Sequence, residues 1–441
     1  MNLSLRRAIQ IVIRADSDPA RQVLFANLMQ ARLAVRLAYR VHGLLMGTWA
    51  SALLISAYGL AYFVRISPPV MGGARILAAA EHVNARRQVA RVAAWMDDGV
   101  VRCVRTRSGL SDITAAVVSL MTQTSRRHLL RTLRIVRVLD RRHGFLVACR
   151  SAAAIAWYAR TTFILRRDRP DAVLVSSDSN PEEVGFAAAA HALGIPRVFV
   201  SHAYPTPFSP PLDFSLSILE GEAAAEARMK KGPIKGAVVL AGVEGEWAPL
   251  DAGRFGRPNP VIGIFAPKAL SWTTLAAIIA DCRARFGARR IVIRWHPSRL
   301  DPARHLHALG DLSGLEESPM GAALPDVARR CDWVIADENS NVHLPVLKLG
   351  IPTVAVRRLG LYPESRSDMY GFAAAGIVFP PVSSIRDISA EAFTAFFAEG
   401  WTKRFRRYDA SYLRPQADIG AQVRQALEHL LETPRGKASR G

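Results

Sequence analysis

The sequence predicts an α/β protein made of two successive open parallel-sheet domains, and three observations carry that reading. From residue 75 onward, short apolar runs of strand length alternate with helical periods, the rhythm of βαβ units. That rhythm breaks once, at a polar stretch holding Gly245, Pro249, Gly256, Pro258 and Pro260, and then resumes. The chain has 441 residues, too many for one ordinary domain and enough for two that each bury a core.

Ahead of the first strand, residues 1–69 read as a helical, membrane-associated region. Gly43 to Val64 carries no charged residue and includes Leu44, Leu45, Trp49, Leu53, Leu54, Ile55, Tyr58 and Phe63; as one helix it would reach about 33 Å, the thickness of a bilayer core. Arg6, Arg7, Arg14, Arg21, Arg32, Arg36 and Arg40 precede it. A single crossing would strand those arginines outside or export the domains that follow, so an in-plane or re-entrant helix fits better. Arg32, Arg36 and Arg40, at i, i+4, i+8, would then meet anionic headgroups. The competing reading is a helix buried within an N-terminal subdomain. The start of the chain shows no signal-peptide pattern, because Arg14 interrupts the apolar run after Arg6 and Arg7.

The first domain is expected over 70–258. Strands are predicted at 75–80, 100–104, 171–175, 197–200, 214–219 and 237–240, with helices at 84–96 and 181–193 and a basic helical middle over 110–167. The second domain is expected over 259–432, with strands at 261–265, 290–294, 333–336 and 352–356 and helices at 275–286 and 340–349. The last helix, 419–431, is expected to pack back on the first domain, and 433–441 reads as a disordered tail. Two such sheets leave a cleft between the carboxyl ends of their strands, where ligands bind.

Composition narrows the partners. Apolar residues make up 50 % and charged ones 22 %, which is globular. Lys and Arg total 58 against 37 Asp and Glu, a formal charge of +21, which suits an anionic membrane or phosphate-bearing substrates. No RNA-recognition signature or basic–aromatic repeat accompanies the charge, so no nucleic acid is expected. Cys103, Cys149, Cys282 and Cys331 lie far apart with no C-x-x-C pair, which argues against zinc and against a disulfide framework. Asp16-Ser17-Asp18 spells a D-x-D but precedes every sheet element and reads as a turn.

Arg294-Trp295-His296-Pro297 follows a predicted strand. An Arg and a His two residues apart offer a bidentate cation and an imidazole to a phosphate. Asp337-Glu338-Asn339-Ser340-Asn341 runs from a strand into a helix, where Ser340 and Asn341 at a helix start would meet the same anion. Asp337 is expected to orient a neighbour, and plain helix capping explains this segment equally well. In the first domain Ser201-His202-Ala203-Tyr204-Pro205-Thr206-Pro207 follows a strand. His202 is the first candidate for a general base, since an imidazole takes a hydroxyl proton near neutral pH. Asp178 and Glu81, with His82 beside it, are the rivals. His191, His305 and His307 read as packing or surface, and His343 as packing that lies one turn from the phosphate site.

In order and spacing, Arg294, His296 and Pro297, then Asp337 and Ser340, then Leu349, Gly350, Pro352 and Val354 resemble the nucleotide-binding half of GT-B bacterial surface-polysaccharide transferases. That group includes CDP-glycerol glycerophosphotransferases and capsule sialyl-, polysialyl- and Kdo transferases. The likeness covers 261–356. The turn at His202 looks like the W-H-G-T-P turn of the glycerophosphotransferases, whose histidine is the base, although Ala203 replaces the glycine. The resemblance implies a nucleotide-activated sugar or polyol donor as substrate and no cofactor. Arg294, helix dipoles and Arg357 or Arg358 would neutralise the phosphate charge, so metal-independent catalysis is expected; a lipid-linked or polysaccharide acceptor, met at the cytoplasmic face of the inner membrane by a peripheral or monotopic protein, would explain the basic, membrane-leaning N-terminus. Two other classes stay open: a nucleotide-sugar 2-epimerase of the same architecture, and a catalytically silent assembly partner.

Overall fold

The computed structural model describes residues 3–18, 33–67, 71–104, 126–296, 309, 313–319, 321–361, 367–398 and 400–433. Pro297, His305, His307, Arg21, Arg32 and residues 434–441 lie outside them.

The first sheet contains β1 (Ile76–Ala79), β2 (Val101–Cys103), β3 (Ala172–Val175), β4 (Arg197–Val200), β5 (Asp213–Leu219) and β6 (Lys235–Leu240), ordered 2-1-3-4-5-6. The second contains β7 (Val261–Phe265), β8 (Arg290–Arg294), β9 (Leu315–Glu317), β10 (Trp333–Asp337) and β11 (Thr353–Val356), ordered 11-10-7-8-9. Every pairing in both is parallel. The inner strands β1, β3 and β10 are buried at every position, as both faces of a parallel sheet must be. Strand order reverses between β1 and β3 in the first sheet and between β7 and β10 in the second. Those switch points open crevices at the carboxyl ends of the strands.

The N-terminal region is layered onto the first domain. Helices α1 (Leu3–Asp16), α2 (Leu33–Leu45) and α3 (Trp49–Arg65) precede β1, and α4 (Val83–Ala94) follows it. A long helix α5 (Arg126–Asp168), kinked at Gly144, leads into β3, and α6 (Pro181–Ala192) follows β3. Ile9 of α1 and Ala52 and Ile55 of α3 share an apolar cluster with Val136, Leu139, Ala148 and Ala152 of α5. Next, α6 crosses α5 so closely that a Cβ on Gly185 would lie 2.5 Å from the Ala154 carbonyl oxygen, so only glycine fits there.

The apolar run 43–64 is not one helix. Gly47 turns the chain with φ of 74°, and Thr48 caps α3 by accepting from the Ser51 N–H at 3.2 Å. Among the described residues no helix is long and apolar enough to cross a membrane. The Asp16-Ser17-Asp18 segment is also not a free turn: Asp16 ends α1, buried against Arg150 at 2.8 Å.

The remaining helices are α7 (Glu222–Met229), α8 (Trp272–Phe286), α9 (Leu324–Ala328), α10 (His343–Lys348), α11 (Ala390–Ala398), α12 (Trp401–Tyr408) and α13 (Gln416–Glu432). The chain crosses between domains twice, after β6 and again before α13, whose Ile419, Val423 and Leu427 pack on the first sheet. A buried knot ties the two crossings together. Lys348 Nζ donates to the Val243 carbonyl at 2.5 Å and to Ser411 Oγ at 2.6 Å, and lies 3.4 Å from Asp409. Asp409 in turn accepts from the N–H of Val243 and of Ser411. Arg91 of α4 donates to the carbonyls of Ala241 and Gly242, both at 2.9 Å, so the first domain holds the same seam.

Candidate active site

The carboxyl ends of the two sheets face each other across a cavity of about 450 Å³. One wall is built by Arg87 and Gln88 of α4, the segment from Ser201 to Tyr204 after β4, Glu220 after β5 and Glu244 after β6; the other by Ala323 to Pro325, Asn341, Val342, Leu344 and Pro345. Both walls are strand-end loops, which the sheet holds in place while leaving their side chains free to serve a ligand.

In the first wall His202 Nδ1 contacts the Ser176 carbonyl oxygen. A carbonyl only accepts, so Nδ1 donates its proton there, and in the neutral ring this tautomer leaves the lone pair on Nε2, the form a base needs. The loop that supplies this carbonyl is itself fixed, because the N–H groups of Ser176 and Ser177 donate to Glu183 at 2.7 and 2.5 Å. Burial, reinforced by neighbouring Glu182, raises the Glu183 carboxyl to about 8 against those two N–H bonds. Glu81 is raised to about 7, first by burial and then by Glu182. His82 is lowered by burial and by the charge of His202, Arg150 and Lys268. Glu220 is raised by burial; its Oε1 accepts from Ser201 Oγ at 2.6 Å and its Oε2 is buried without a partner.

Asp178, one of the three expected bases, is not part of this wall. Its carboxylate pairs with Arg228, and it lines a small separate pocket with Ser4, Arg7 and His191 beneath α1. The turn after β3 sends Asp178 away from the cleft while its backbone neighbours Ser176 and Ser177 serve it.

Beside the second wall, the period of two along β8 puts Arg294 and His296 on one face and buries Trp295 on the other. Trp295 Nε1 donates to Glu317 at 2.6 Å, which anchors the strand end. The Arg294 guanidinium is lowered by burial and by the facing charge of Arg87. Its Nε is buried without a partner. His296 is pushed down to about 4 by burial, then by Lys268 and Arg294. Among the described residues neither Arg294 nor Arg87 has a carboxylate partner. Arg87, which lines the cavity, faces Arg294 beside it, and Asn341 adds a buried Oδ1 without a partner to the lining, which also includes Glu220 and Glu244.

One expectation for this wall is corrected. The helix begins at His343 rather than Ser340. Ser340 and Asn341 sit in the preceding turn, where Ser340 Oγ accepts from the Val342 N–H at 3.3 Å. Asp337 is buried, raised to about 6 by burial, and its carboxylate accepts from Asn339 N–H at 3.0 Å and Gly360 N–H at 2.6 Å, which orients both loops. His343 is wholly internal, bonded to Thr353 Oγ1 and the Asp337 carbonyl, both at 3.0 Å.

Sequence reasoning passed over Glu220, Lys268, Arg87 and Glu183. Glu220 stands one residue past β5 and Lys268 three past β7, so a strand-end rule applied evenly finds both. Glu183 and Arg87 lie inside helices, and only packing shows which way they face. Among the described residues no group of three or more His, Cys, Asp and Glu side chains has the placement to hold a metal ion.

No family model matches the chain, and no curated protein does. Several solved structures resemble it at low identity. The UDP-GlcNAc 2-epimerase of Neisseria meningitidis bound to UDP-GlcNAc superposes with a TM-score of 0.47 at 14 % identity, over 81 % of this chain and 100 % of that one. The UDP-N-acetylglucosamine 2-epimerase of Rickettsia bellii gives 0.46 at 12 %, over 83 % and 98 %. The glycosyltransferase SnogD of Streptomyces nogalater gives 0.40 at 14 %, over 80 % and 98 %. Likenesses at this level do not discriminate among activities.

Proposed function

We propose that this protein is a transferase that passes a sugar or polyol-phosphate unit from a nucleotide-activated donor to a hydroxyl acceptor in bacterial surface-polysaccharide assembly. The observation that carries the reading is the division of the cleft. Arg294, His296 and Lys268 gather on the donor side, Arg87 faces Arg294 from the first domain, and His202, its Nδ1 held by the Ser176 carbonyl, stands on that first-domain side. Anionic phosphates satisfy the first set, and an acceptor hydroxyl satisfies the second.

In this reaction His202 Nε2 takes the hydroxyl proton as the acceptor oxygen bonds to the transferred centre. The bond from that centre to the donor's phosphate oxygen breaks, and the electron pair leaves with the nucleotide. Arg294, Lys268 and Arg87 offset the charge on the leaving phosphate without a metal ion. Glu183 acts as a positioning residue through the loop that orients His202. Thermal shifts with CMP, CDP, UDP, GDP and UMP test the donor site. One nucleotide is expected to stabilise the protein, and Arg294→Ala to abolish the shift. No shift with any of them from the folded protein overturns the proposal.

A second reading is favoured by the three raised carboxyls, Glu81, Glu183 and Glu220, which suit an isomerase that removes and returns a proton on a bound nucleotide sugar, such as a 2-epimerase. Incubation of the stabilising nucleotide's sugar derivatives in deuterated water without acceptor separates the two. Deuterium in the recovered nucleotide sugar supports isomerisation, and its absence supports transfer.

A further inference from the structure

Ten of the twenty exposed large apolar side chains among the described residues fall between residues 37 and 60. They form the outer face of α2, the turn and α3, with Leu44 86 % and Leu53 58 % exposed. Leu130 and Val138 of α5 continue this apolar surface. Among the described residues, arginines are the only exposed charges interleaved with it: Arg36 and Arg40 on α2, and Arg131, Arg134, Arg141 and Arg142 on α5. Residues 33–65 contain no Asp or Glu, and the one acid in 126–142, Asp140, is fully buried. Asp140 pins the face rather than charging it. It accepts from His42 Nε2 at 2.6 Å, Gly47 N–H at 2.8 Å and Ser51 Oγ at 2.7 Å, which locks the α2–α3 turn onto α5.

We propose that this face docks in the plane of an anionic lipid bilayer. A protein partner would have to supply all the carboxylates for six arginines while covering the apolar side chains between them, whereas anionic headgroups with acyl chains beneath offer both at once. Trp49, with Arg137 stacked over its ring, and Tyr39 and Tyr58 are amphipathic rings of the kind that occupy the headgroup level.

The fold places this face beside the cleft. Arg150 of α5 reaches the Ser179 carbonyl, at the carboxyl end of β3, at 3.4 Å. Gly59 of α3 packs on Ala152 at the same level. The α3 axis from Gly59 back to Trp49 carries the α2–α3 turn about 15 Å farther, on the side toward which the strand ends point. A docked chain therefore holds its cleft near the headgroups. If the cleft is a transferase site, a reading on which this consequence rests, the acceptor arrives from the membrane.

The test is flotation of the full-length chain with phosphatidylcholine vesicles, with and without phosphatidylglycerol, at low and high salt. Leu44→Glu/Leu53→Glu and Arg131→Glu/Arg134→Glu serve as variants, with nucleotide thermal shifts read on the same samples. The wild type is expected to float with phosphatidylglycerol vesicles and to bind less at high salt. Each double variant is expected to lose roughly tenfold in vesicle affinity while keeping its melting midpoint. Should the leucine variant fail to fold, the arginine variant decides. A wild type that stays unbound, or variants that float equally well, overturns docking, as does a dimer broken by Leu44→Glu/Leu53→Glu without vesicle binding. Flotation without any nucleotide shift keeps docking and removes the transferase reading; a nucleotide shift without flotation does the reverse.

Discussion

Replacing Lys348 with methionine tests whether the buried knot at the domain seam holds the two sheets in their facing arrangement. Lys348 and Asp409 are 1 % and 0 % exposed. Methionine keeps the packing of the lysine stem, so the change removes the ammonium and little else. The Val243 carbonyl and Ser411 Oγ lose their donor, and Asp409 loses its counter-ion. Breaking one partner of a buried ion pair costs about 3–5 kcal/mol. Asp409 keeps the donors Val243 N–H, Ser411 N–H and Ser411 Oγ, which places the loss near the lower end, about 3 kcal/mol. Adding Asp409→Asn removes the stranded charge and is expected to recover at least about 1 kcal/mol relative to the sum of the single changes. Urea unfolding followed by tryptophan fluorescence measures all three variants. A single-variant loss under about 1 kcal/mol, or strict additivity, refutes the idea that this pair braces the seam.

Stability carries a pH signature from Glu183. Its folded value of about 8 lies above the ordinary 4.5, so the folded state holds the proton more tightly. Its contribution is complete below pH 4.5, is lost as pH rises toward 8 at up to about 1.4 kcal/mol per pH unit, and is flat above. Glu183→Gln should remove that slope in unfolding measured at several pH values; an unchanged slope assigns it elsewhere. Gly185→Ala puts a Cβ 2.5 Å from the Ala154 oxygen and 2.9 Å from Trp157 Cβ, and should lose about 1–3 kcal/mol by overpacking. A stability equal to wild type, by the same urea assay, would mean that α5 and α6 separate freely. The nucleotide and vesicle experiments above complete the set.

The alternation of apolar runs and helical periods was enough to read every strand but β9, because a parallel strand buried on both faces must be apolar throughout, whereas β9 (Leu315–Glu317) is a short, half-exposed edge strand with two glutamates. β7 (Val261–Phe265) and β8 (Arg290–Arg294) stand where their sequence put them, and Arg294, His296 and His202 were legible as strand-end polar residues. The sequence alone also determined that residues 33–65 hold no acid.

Tertiary structure decided the rest. The run 43–64 has the composition of one long helix, yet the turn at Gly47 and Thr48 is fixed by Asp140, almost a hundred residues away. Asp178 and Glu183 both follow β3, and one meets Arg228 while the other grips the loop behind His202. Local sequence sets which residues form a strand or helix, since that depends on neighbours a few positions apart. Which carboxylate loses its water, and which cation faces another across a cleft, depends on what distant segments bring there.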